Sequence, residues 1–228
     1  MHRRMALACE AAPAAGVPGR FRVWERAGLF AVLASDPALG YLSTVSGVTP
    51  STVKAAAELA DDPVWNGVEP TVVTDGLPIP GYVRADDRLL ATRRLRRRRA
   101  VPSEVVDAEV FVGVLLEGFE TRGVVARFMA AEHRLPAVRR FLLVEGEKPI
   151  AAAGMTIHEE VAVLGAATTL RAHRGHGAQV KLLHRRLAVA AAEGCTLAVA
   201  TARPDSPSAA NLARAGFRLH RRQAWRKP

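Results

Sequence analysis

Apolar runs and helical spacings alternate along this chain, most regularly in its second half. The helix predicted after residue 176 has the clearest pattern, because Val180, Leu183, Leu187 and Ala190 recur at spacings of three and four. From residue 106 onward the pattern predicts, in order, a strand or helix over Val106–Glu117, a helix over Thr121–Glu132, strands over Arg140–Val144, Pro149–Ile157 and Val161–Leu170, a helix over Gly177–Glu193, a strand over Thr196–Thr201, a helix over Ser206–Ala215 and a strand from Phe217.

The first half has a weaker pattern. Residues 1–20 are rich in Ala, Pro and Gly without a sustained period, which predicts a flexible N-terminal arm. The remaining pattern predicts helices over Trp24–Leu33 and Ser51–Leu59 and strands over Gly40–Val45 and Thr71–Thr74. Residues 21–100 therefore read as a small α/β unit, and they contain no recognisable chemical motif.

A basic run, Arg93–Arg99, leads out of this unit, so we predict a domain boundary near residue 100 and a second domain over residues 101–228. The run has two interpretations, an anion-binding patch for nucleic acid or an acidic partner, or a solvated edge strand or connector. We favour the solvated edge strand or connector, because no aromatic residues stand among the arginines to stack on bases.

Composition narrows the class of protein. The 228 residues are enough for a buried core, and with 49% hydrophobic but only 5% aromatic residues that core consists mainly of Ala, Val and Leu. A net charge of +10 favours anionic partners. Two cysteines, Cys9 and Cys195, are too few for a disulfide framework and suit a reducing compartment. With no apolar stretch near the roughly 20 residues that cross a bilayer, we expect a cytoplasmic protein without a membrane partner.

The passage from a strand through Arg174-Gly175-His176-Gly177-Ala178-Gln179 into a helix carries the most chemical information. Helix N-termini offer unpaired N–H groups and a positive dipole end, and glycines let the backbone approach phosphate oxygens. Arg171 and Lys181 add positive charge nearby. The loop lacks the longer glycine pattern of a dinucleotide-binding fold and the Gly-Lys-Ser/Thr ending of a nucleotide-triphosphate loop. It therefore predicts a pyrophosphate cradle of another kind.

These residues resemble the pyrophosphate motif Arg/Gln-x-x-Gly-x-Gly/Ala of the GNAT superfamily of N-acetyltransferases. The resemblance covers about residues 104–228 and includes Leu182-Leu183, Ser208-Ala209-Ala210-Asn211 and Ala215-Gly216-Phe217. It implies a GNAT-like α/β fold with a mixed, mostly antiparallel central sheet that is splayed at the cofactor strands, beside the smaller N-terminal α/β unit. That first half fits a degenerate GNAT-like copy, as in tandem members, without a second phosphate loop.

By this resemblance, acetyl-CoA is the donor. We expect no metal, because no His, Cys, Asp and Glu cluster in the sequence has metal-ligand spacing. Coenzyme A would lie between the strand ending at Leu170 and the strand Thr196–Thr201. The residues that would contact it are Thr168, Thr169, Leu170, Arg174, Gly175, His176, Gly177, Ala178, Gln179 and Asn211. Gln179 replaces a small residue of the motif, and Asn211 and Ser208 have helix capping as an alternative role.

The candidate catalytic groups match the family pattern less well than the cofactor loop does. The tyrosine that is the usual general acid of the family is replaced by Leu212, so Ser206, Ser208 or solvent would relay a proton to sulfur. Glu159 and Glu160 lie where many members of the family place a catalytic carboxylate. A solvated hairpin tip is the alternative for these two residues, and we favour it.

Three hypotheses follow for the function. The first is an N-acetyltransferase that acts on a primary amine of a small molecule or peptide. The second is a noncatalytic acyl-CoA-binding sensor on the same fold, motivated by the missing tyrosine. The third, which we favour least, is a nucleic-acid binder that uses the arginine run. The sequence leaves open whether the chain forms a homodimer.

Overall fold

The computed structural model describes residues 2–97, 99 and 106–228. The chain divides into two compact units, one running up to Leu89 and resuming at Arg221–Pro228, and the other comprising Leu90–His220. Ala100, where the sequence predicts a boundary, and residues 101–105, the start of the predicted second domain, lie outside the described residues, as does Arg98 of the basic run. The described residues contain no helix that is long and apolar enough to cross a membrane.

The first unit places a helix where the sequence predicts a flexible arm. Helix α1 spans His2–Ala14, and Ala8, Cys9 and Ala12 on one of its faces are buried. Cys9 belongs to an apolar cluster with Phe30 and Val32 of the sheet. The prediction of an arm without regular structure is therefore wrong over these residues: the alanines that suggested low complexity form a small apolar helix face that fits closely against strands.

The helix predicted over Trp24–Leu33 is also wrong, because a hairpin occupies this segment. Strands β1 (Phe21–Arg26) and β2 (Leu29–Ala34) pair antiparallel, with Arg26 opposite Leu29. The two residues between them, Ala27 and Gly28, have φ values of 52° and 75°. Positive φ at both positions is what a tight two-residue hairpin turn requires, and a helix cannot contain it.

The rest of the first unit follows the sequence prediction more closely. Helix α2 (Val53–Ala60) and strand β4 (Thr71–Thr74) confirm the predicted helix and strand, whereas strand β3 (Thr44–Val48) begins at Thr44 because Pro37–Leu42 forms a 3₁₀ helix. Strand β5 spans Val83–Arg94, and strand β10 spans Arg218–Arg226. Within this unit the strand order is β1-β2-β3-β4-β10.

The second unit has the predicted order of elements. Helices α3 (Ala108–Phe119) and α4 (Gly123–Arg134) precede the hairpins β6 (Arg139–Glu145), β7 (Lys148–His158) and β8 (Val161–Thr169), followed by α5 (Ala178–Ala192), β9 (Leu197–Ala202) and α6 (Pro207–Arg214). The strand order is β5-β9-β8-β7-β6, in which β8 pairs antiparallel with β7 and parallel with β9. This is the mixed, mostly antiparallel sheet that the resemblance implies. Its core is built of small apolar residues such as Ala151, Ala153 and Ala198.

Strand β5 is the element that sequence analysis missed. It is twelve residues long and ends within the basic run, so that Arg93 and Arg94 belong to a strand. Nη1 of Arg93 donates a hydrogen bond to the carbonyl of Ala215. Part of the basic run is therefore structural, which agrees with a connector more than with a free patch.

Candidate active site

The predicted phosphate loop, residues 174–179, has the positive backbone φ angles that glycine favours. Gly175 and Gly177 are exposed, with φ values of 85° and 76°. Gly177 is the N-cap of α5, and exposed His176 lies between the two glycines. The N–H groups of residues 178–180 have no acceptor among the described residues. Because the positive end of the helix dipole lies at the same place, the loop can receive an anion.

Arg174 and Gln179 tie this loop to the end of β8. Arg174 donates from Nε to the carbonyl of Thr169 at 3.1 Å and from Nη2 to the carbonyl of Gly118 at 2.9 Å. Gln179 donates from Nε2 to the carbonyl of Thr168 and, at 3.0 Å, to Oγ1 of Thr169. Both side chains therefore hold the loop in place, while Ala178 is buried at the first position of α5.

The backbone of Thr168–Leu170 is largely engaged within the domain. In addition to the two carbonyls held by Gln179 and Arg174, the N–H of Leu170 donates to the carbonyl of Ile150 at 2.9 Å. Helix α3 approaches this segment closely, since a Cβ added at Gly118 would lie 2.5 Å from Oγ1 of Thr168. These three residues thus support the loop, and the free backbone lies earlier in β8.

Strand β8 carries a bulge in its middle. Ala152 of β7 stands opposite Thr168, but Gly154 stands opposite Gly165, so β8 has one residue more than β7 between these pairs. Ala166, within the bulge, has a φ of 48°. A bulge bends its strand and leaves backbone groups unpaired. Here the bend coincides with the point where β8 leaves its other neighbour, β9.

The parallel pairing of β8 with β9 runs from Val161 opposite Leu197 to Leu164 opposite Ala200. Beyond Leu164 a cavity of about 310 Å³ lies between the two strands. Its lining comprises Phe119, Leu164, Gly165, Ala166, Ala167, Arg186, Ala200, Thr201, Ala202, Arg203, Ser206, Ser208 and Leu212. The separation of these strands is the splay that the resemblance implies.

Arg186, on α5, joins the bulge to the cavity. Although its side chain is charged, only 4% of the residue is exposed. Nη1 donates to the carbonyls of Gly154 at 3.2 Å and Gly165 at 3.4 Å, and Nε donates to the carbonyl of Leu182 at 3.3 Å. One guanidinium therefore holds the two carbonyls on either side of the bulged ladder.

Helix α6 provides the opposite wall. Oγ of Ser206 caps this helix by accepting from the N–H of Ala209 and donating to the carbonyl of Arg203. Ser208, exposed and on the cavity lining, has no hydrogen-bond partner among the described residues. Asn211 is outside the lining, and its Oδ1 accepts from Arg214. Leu212, in place of a phenol, is buried at the wall.

The predicted carboxylates lie at the other end of β8. Glu159 and Glu160 are exposed in the turn between β7 and β8, and Oε2 of Glu160 accepts from Oγ1 of Thr196 at 3.1 Å. Five residues of strand, about 16 Å at the usual rise, separate Glu160 from Gly165. The structure thus does not bring either glutamate to the cavity, and a solvated hairpin tip describes both.

Sequence reasoning overlooked the bulge and Arg186. The run of small residues Gly165-Ala166-Ala167 in an otherwise β-branched and aliphatic strand was the available signal for the bulge. For Arg186 there was none, because an arginine on a helix normally faces solvent. The two cysteines play no part in the cavity: Cys9 and Cys195 are buried, and burial raises the pKa of the Cys195 thiol. Among the described residues, no cluster of three or more His, Cys, Asp or Glu side chains could hold a metal ion.

Comparison with known proteins agrees with this geometry. The sequence model described as the acetyltransferase (GNAT) family matches residues 109–217, which contain the loop, the bulge and the cavity. None of the curated proteins matches the chain by sequence.

Several solved structures share the fold at low sequence identity. A GCN5-related N-acetyltransferase from Kribbella flavida has a TM-score of 0.59 at 18% identity, with 100% of this chain and 95% of that chain covered. A GCN5-related N-acetyltransferase from Sphaerobacter thermophilus has a TM-score of 0.62 at 14% identity, covering 98% and 90%. An acetyltransferase from the GNAT family of Colwellia psychrerythraea has a TM-score of 0.60 at 17% identity, covering 95% and 86%.

Proposed function

Since residues 109–217 are a GNAT acetyltransferase domain, we propose that this chain transfers an acetyl group from acetyl-CoA to a primary amine of a small molecule or peptide, by direct attack of the amine on the thioester. One observation carries the proposal. Within one domain, a glycine loop at the N-terminus of α5 and a bulge that separates β8 from β9 lie at successive points along the same stretch of chain.

The residues present fit coenzyme A. The loop offers unpaired N–H groups to a pyrophosphate, as derived above, and exposed Gly175 and Gly177 carry no Cβ that would keep phosphate oxygens away. The cavity between the strands is lined mainly by small and apolar residues, which suits a narrow, mostly apolar arm. The bulged residues Ala166 and Ala167, which have no register partner on β7, add backbone groups that can pair with amides.

Acetyl-CoA, when bound, supplies a thioester whose carbonyl carbon is open to attack by an amine. The chain's own contribution begins with the bulge, where Arg186 fixes the carbonyls of Gly154 and Gly165 and thereby the direction of the neighbouring N–H groups. Such fixed donors stabilise negative charge that develops on a carbonyl oxygen without having to reorganise. Arg186 is therefore a positioning residue in this scheme.

Proton transfer has few candidates on the cavity wall. Its lining contains no carboxylate, imidazole or phenol, and its titratable side chains are those of Arg186 and Arg203. Ser206 is committed to capping α6, whereas the hydroxyl of Ser208 has no partner among the described residues. We assign to Ser208 the donation of a proton to the departing sulfur, with solvent as the source that restores it. The acceptor amine loses its proton to water before or during attack.

The experiment that tests the proposal measures thiol release from acetyl-CoA against a panel of primary amines. We expect turnover with at least one amine and an increase of the melting temperature on addition of coenzyme A. Replacement of Gly177 by Val should abolish both, since the left-handed φ of 76° is costly for a β-branched residue and the side chain would project where phosphate binds. Thiol release that is independent of every amine would contradict the proposal.

A noncatalytic acyl-CoA-binding role is the second candidate. The observation that favours it is the apolar wall at Leu212 together with the lack of a carboxylate, imidazole or phenol on the cavity lining. This role predicts stabilisation by coenzyme A, lost in the Gly177→Val variant, without thioester consumption for any amine. The same two measurements therefore separate the two candidates.

A further inference from the structure

One face of the first unit carries two arginines that form no ion pair with a carboxylate of the described residues. The relevant residues lie on β5 up to Leu89 and on β10 from Arg221 onward, which belong to the same compact unit. They are far along the chain from the phosphate loop and take no part in the proposed acetyl transfer.

The ion pairs of Asp87 establish how the two strands face each other. Its carboxylate accepts from Arg84 at 2.7 Å on the same strand and from Arg221 of β10 at 3.1 Å. Both arginines hold the pKa of Asp87 below its usual range through hydrogen bonds, with Arg84 the larger influence. The carboxylate of Asp87 is thus compensated by two arginines, one from each strand.

Arg88 directly follows Asp87 on β5, and Arg222 directly follows Arg221 on β10. Since successive side chains of a strand point to opposite faces, Arg88 and Arg222 both lie on the face opposite Asp87. Nη2 of Arg88 donates to the backbone carbonyl of Tyr41 at 3.4 Å, the long limit of a hydrogen bond. Neither arginine forms an ion pair within 4.0 Å with any carboxylate of the described residues.

Arg222 is the less satisfied of the two. Its Nε is buried and has no hydrogen-bond partner among the described residues. Burial lowers the pKa of Arg222, and the charge of Arg88 acts in the same direction, while Asp75 opposes both from a distance. Burial likewise lowers the pKa of Arg88, opposed by Asp86.

The imidazole of His2 is near the same cluster. Burial is the largest cause that lowers the pKa of His2, followed by the N-terminal charge, while the carboxylate of Glu25 raises it. The charge of Arg222 also lowers this pKa, which indicates that the two side chains are close.

Two half-buried guanidinium groups of like charge, one with an orphaned donor, are unfavourable without an anion. Planar guanidinium groups pair with carboxylate or phosphate oxygens through two parallel hydrogen bonds, and the buried Nε–H of Arg222 is one of the donors needed for that geometry. We propose that Arg88 and Arg222 form a binding site for an oxyanion, the carboxylate or phosphate group of a small ligand, on the first unit.

The test follows the side-chain Nε–H signal of Arg222 by NMR in the full chain, assigned by its loss in an Arg222→Lys variant. Sodium phosphate and sodium acetate are titrated separately at constant ionic strength kept with sodium chloride. We expect a saturable shift with at least one of the two anions. A larger affinity for phosphate identifies a phosphorylated ligand, and equal or larger affinity for acetate identifies a carboxylate.

Three variants make the result specific. Arg88→Gln should weaken the affinity measured at Arg222 by about tenfold, the usual effect of losing one charge-assisted hydrogen bond. Arg84→Gln, which removes an arginine already paired with Asp87, should leave it unchanged. Because phosphate is also expected at the glycine loop of the second unit, the Gly177→Val variant serves as a second control and should retain the shift at Arg222.

Melting temperatures provide an independent readout. Without added anion, Arg222→Gln should melt at the same or a higher temperature than the parent chain, because it removes a charge without a partner. A lower melting temperature would assign Arg222 a structural role and overturn the proposal. A signal of Arg222 that neither anion shifts saturably, or a shift that Arg88→Gln leaves unchanged, would overturn it as well.

Discussion

The two ends of strand β8 differ in almost every respect that matters for chemistry. At the Val161 end the strand is paired on both sides, and the carbonyl of Glu160 accepts from the N–H of Thr196 at 2.8 Å. Beyond Leu164 the strand bulges, leaves β9 and borders a cavity. One additional residue in β8 thus accompanies the change from a strand paired on both sides to one separated from β9.

Only the separated end of β8 has backbone available to a ligand. A backbone that is satisfied by its neighbouring strands has nothing to offer a ligand, whereas unpaired groups must find partners. The separated end of β8 therefore needs side chains that hold it open, and Arg186, Arg174 and Gln179 all donate to carbonyls there.

The largest effect is expected for Arg186→Leu. The substitution leaves the carbonyls of Gly154 and Gly165 without this donor inside the protein, and the free energy of unfolding should fall by about 3 kcal/mol. Chemical denaturation measures this loss. The kcat should fall more than KM for acetyl-CoA rises, because the bulge and not the phosphate loop loses its support.

Arg186→Lys refines this test, since an ammonium keeps the charge but lacks the planar guanidinium whose Nε also donates to the carbonyl of Leu182. It should recover part of the stability and little of kcat. His184→Leu, an exposed position on the same helix, is the matched control and should change neither quantity appreciably. Equal effects of the changes at positions 184 and 186 would contradict the role assigned to the bulge.

Gly118→Ala should have the next largest effect. The added Cβ would lie 2.5 Å from Oγ1 and 2.7 Å from Cγ2 of Thr168, so α3 would have to move away from the separated end of β8. Overpacking of this kind destabilises by about 1 to 3 kcal/mol. The same helix offers a control of opposite sign: Gly113 has no atom within 4 Å of its added Cβ, and Gly113→Ala should stabilise the chain by up to about 1 kcal/mol. Thermal unfolding of the two variants measures both changes.

Ser208→Ala should lower kcat by about tenfold, the lower range for a general acid, without changing the melting temperature. The reason is that its hydroxyl lies on the cavity lining and has no structural partner among the described residues. Ser206→Ala should do the reverse, because loss of the α6 cap costs about 1 kcal/mol of stability while the proposed proton donor remains. An unchanged kcat for Ser208→Ala would remove this residue from the mechanism.

The sequence predicts the second unit well for a physical reason. The buried face of α5 is predicted by the spacing of Leu183, Leu187 and Ala190, and its start by the position of Gly177. Both features depend only on residues that are neighbours in sequence. The glycine loop is local in the same way. The fold class and the conformation of the glycine loop were therefore accessible without coordinates.

The open end of β8 was not accessible, because it depends on partners distant in sequence. Arg186 can face the interior because its guanidinium donates hydrogen bonds there to the carbonyls of Gly154 and Gly165. Thr168, assigned to the cofactor by resemblance, has its carbonyl engaged by Gln179, the residue that departs from the family motif. In the first unit, the hairpin at Ala27-Gly28 was mistaken for a helix, since Ala seldom adopts a positive φ.

The smallest effect is expected at the paired end, for Glu159→Gln and Glu160→Gln. Both side chains are exposed, and the one hydrogen bond described for them, from Thr196 to Glu160, lies at the surface and is retained by an amide oxygen. Each variant should keep kcat/KM within about twofold and stability within about 0.5 kcal/mol of the parent chain. A general base lost at either position would instead lower kcat by about a hundredfold or more. A decrease of that size, measured by thiol release with a reactive amine, would move catalysis to the closed end of β8 and break the contrast between its two ends.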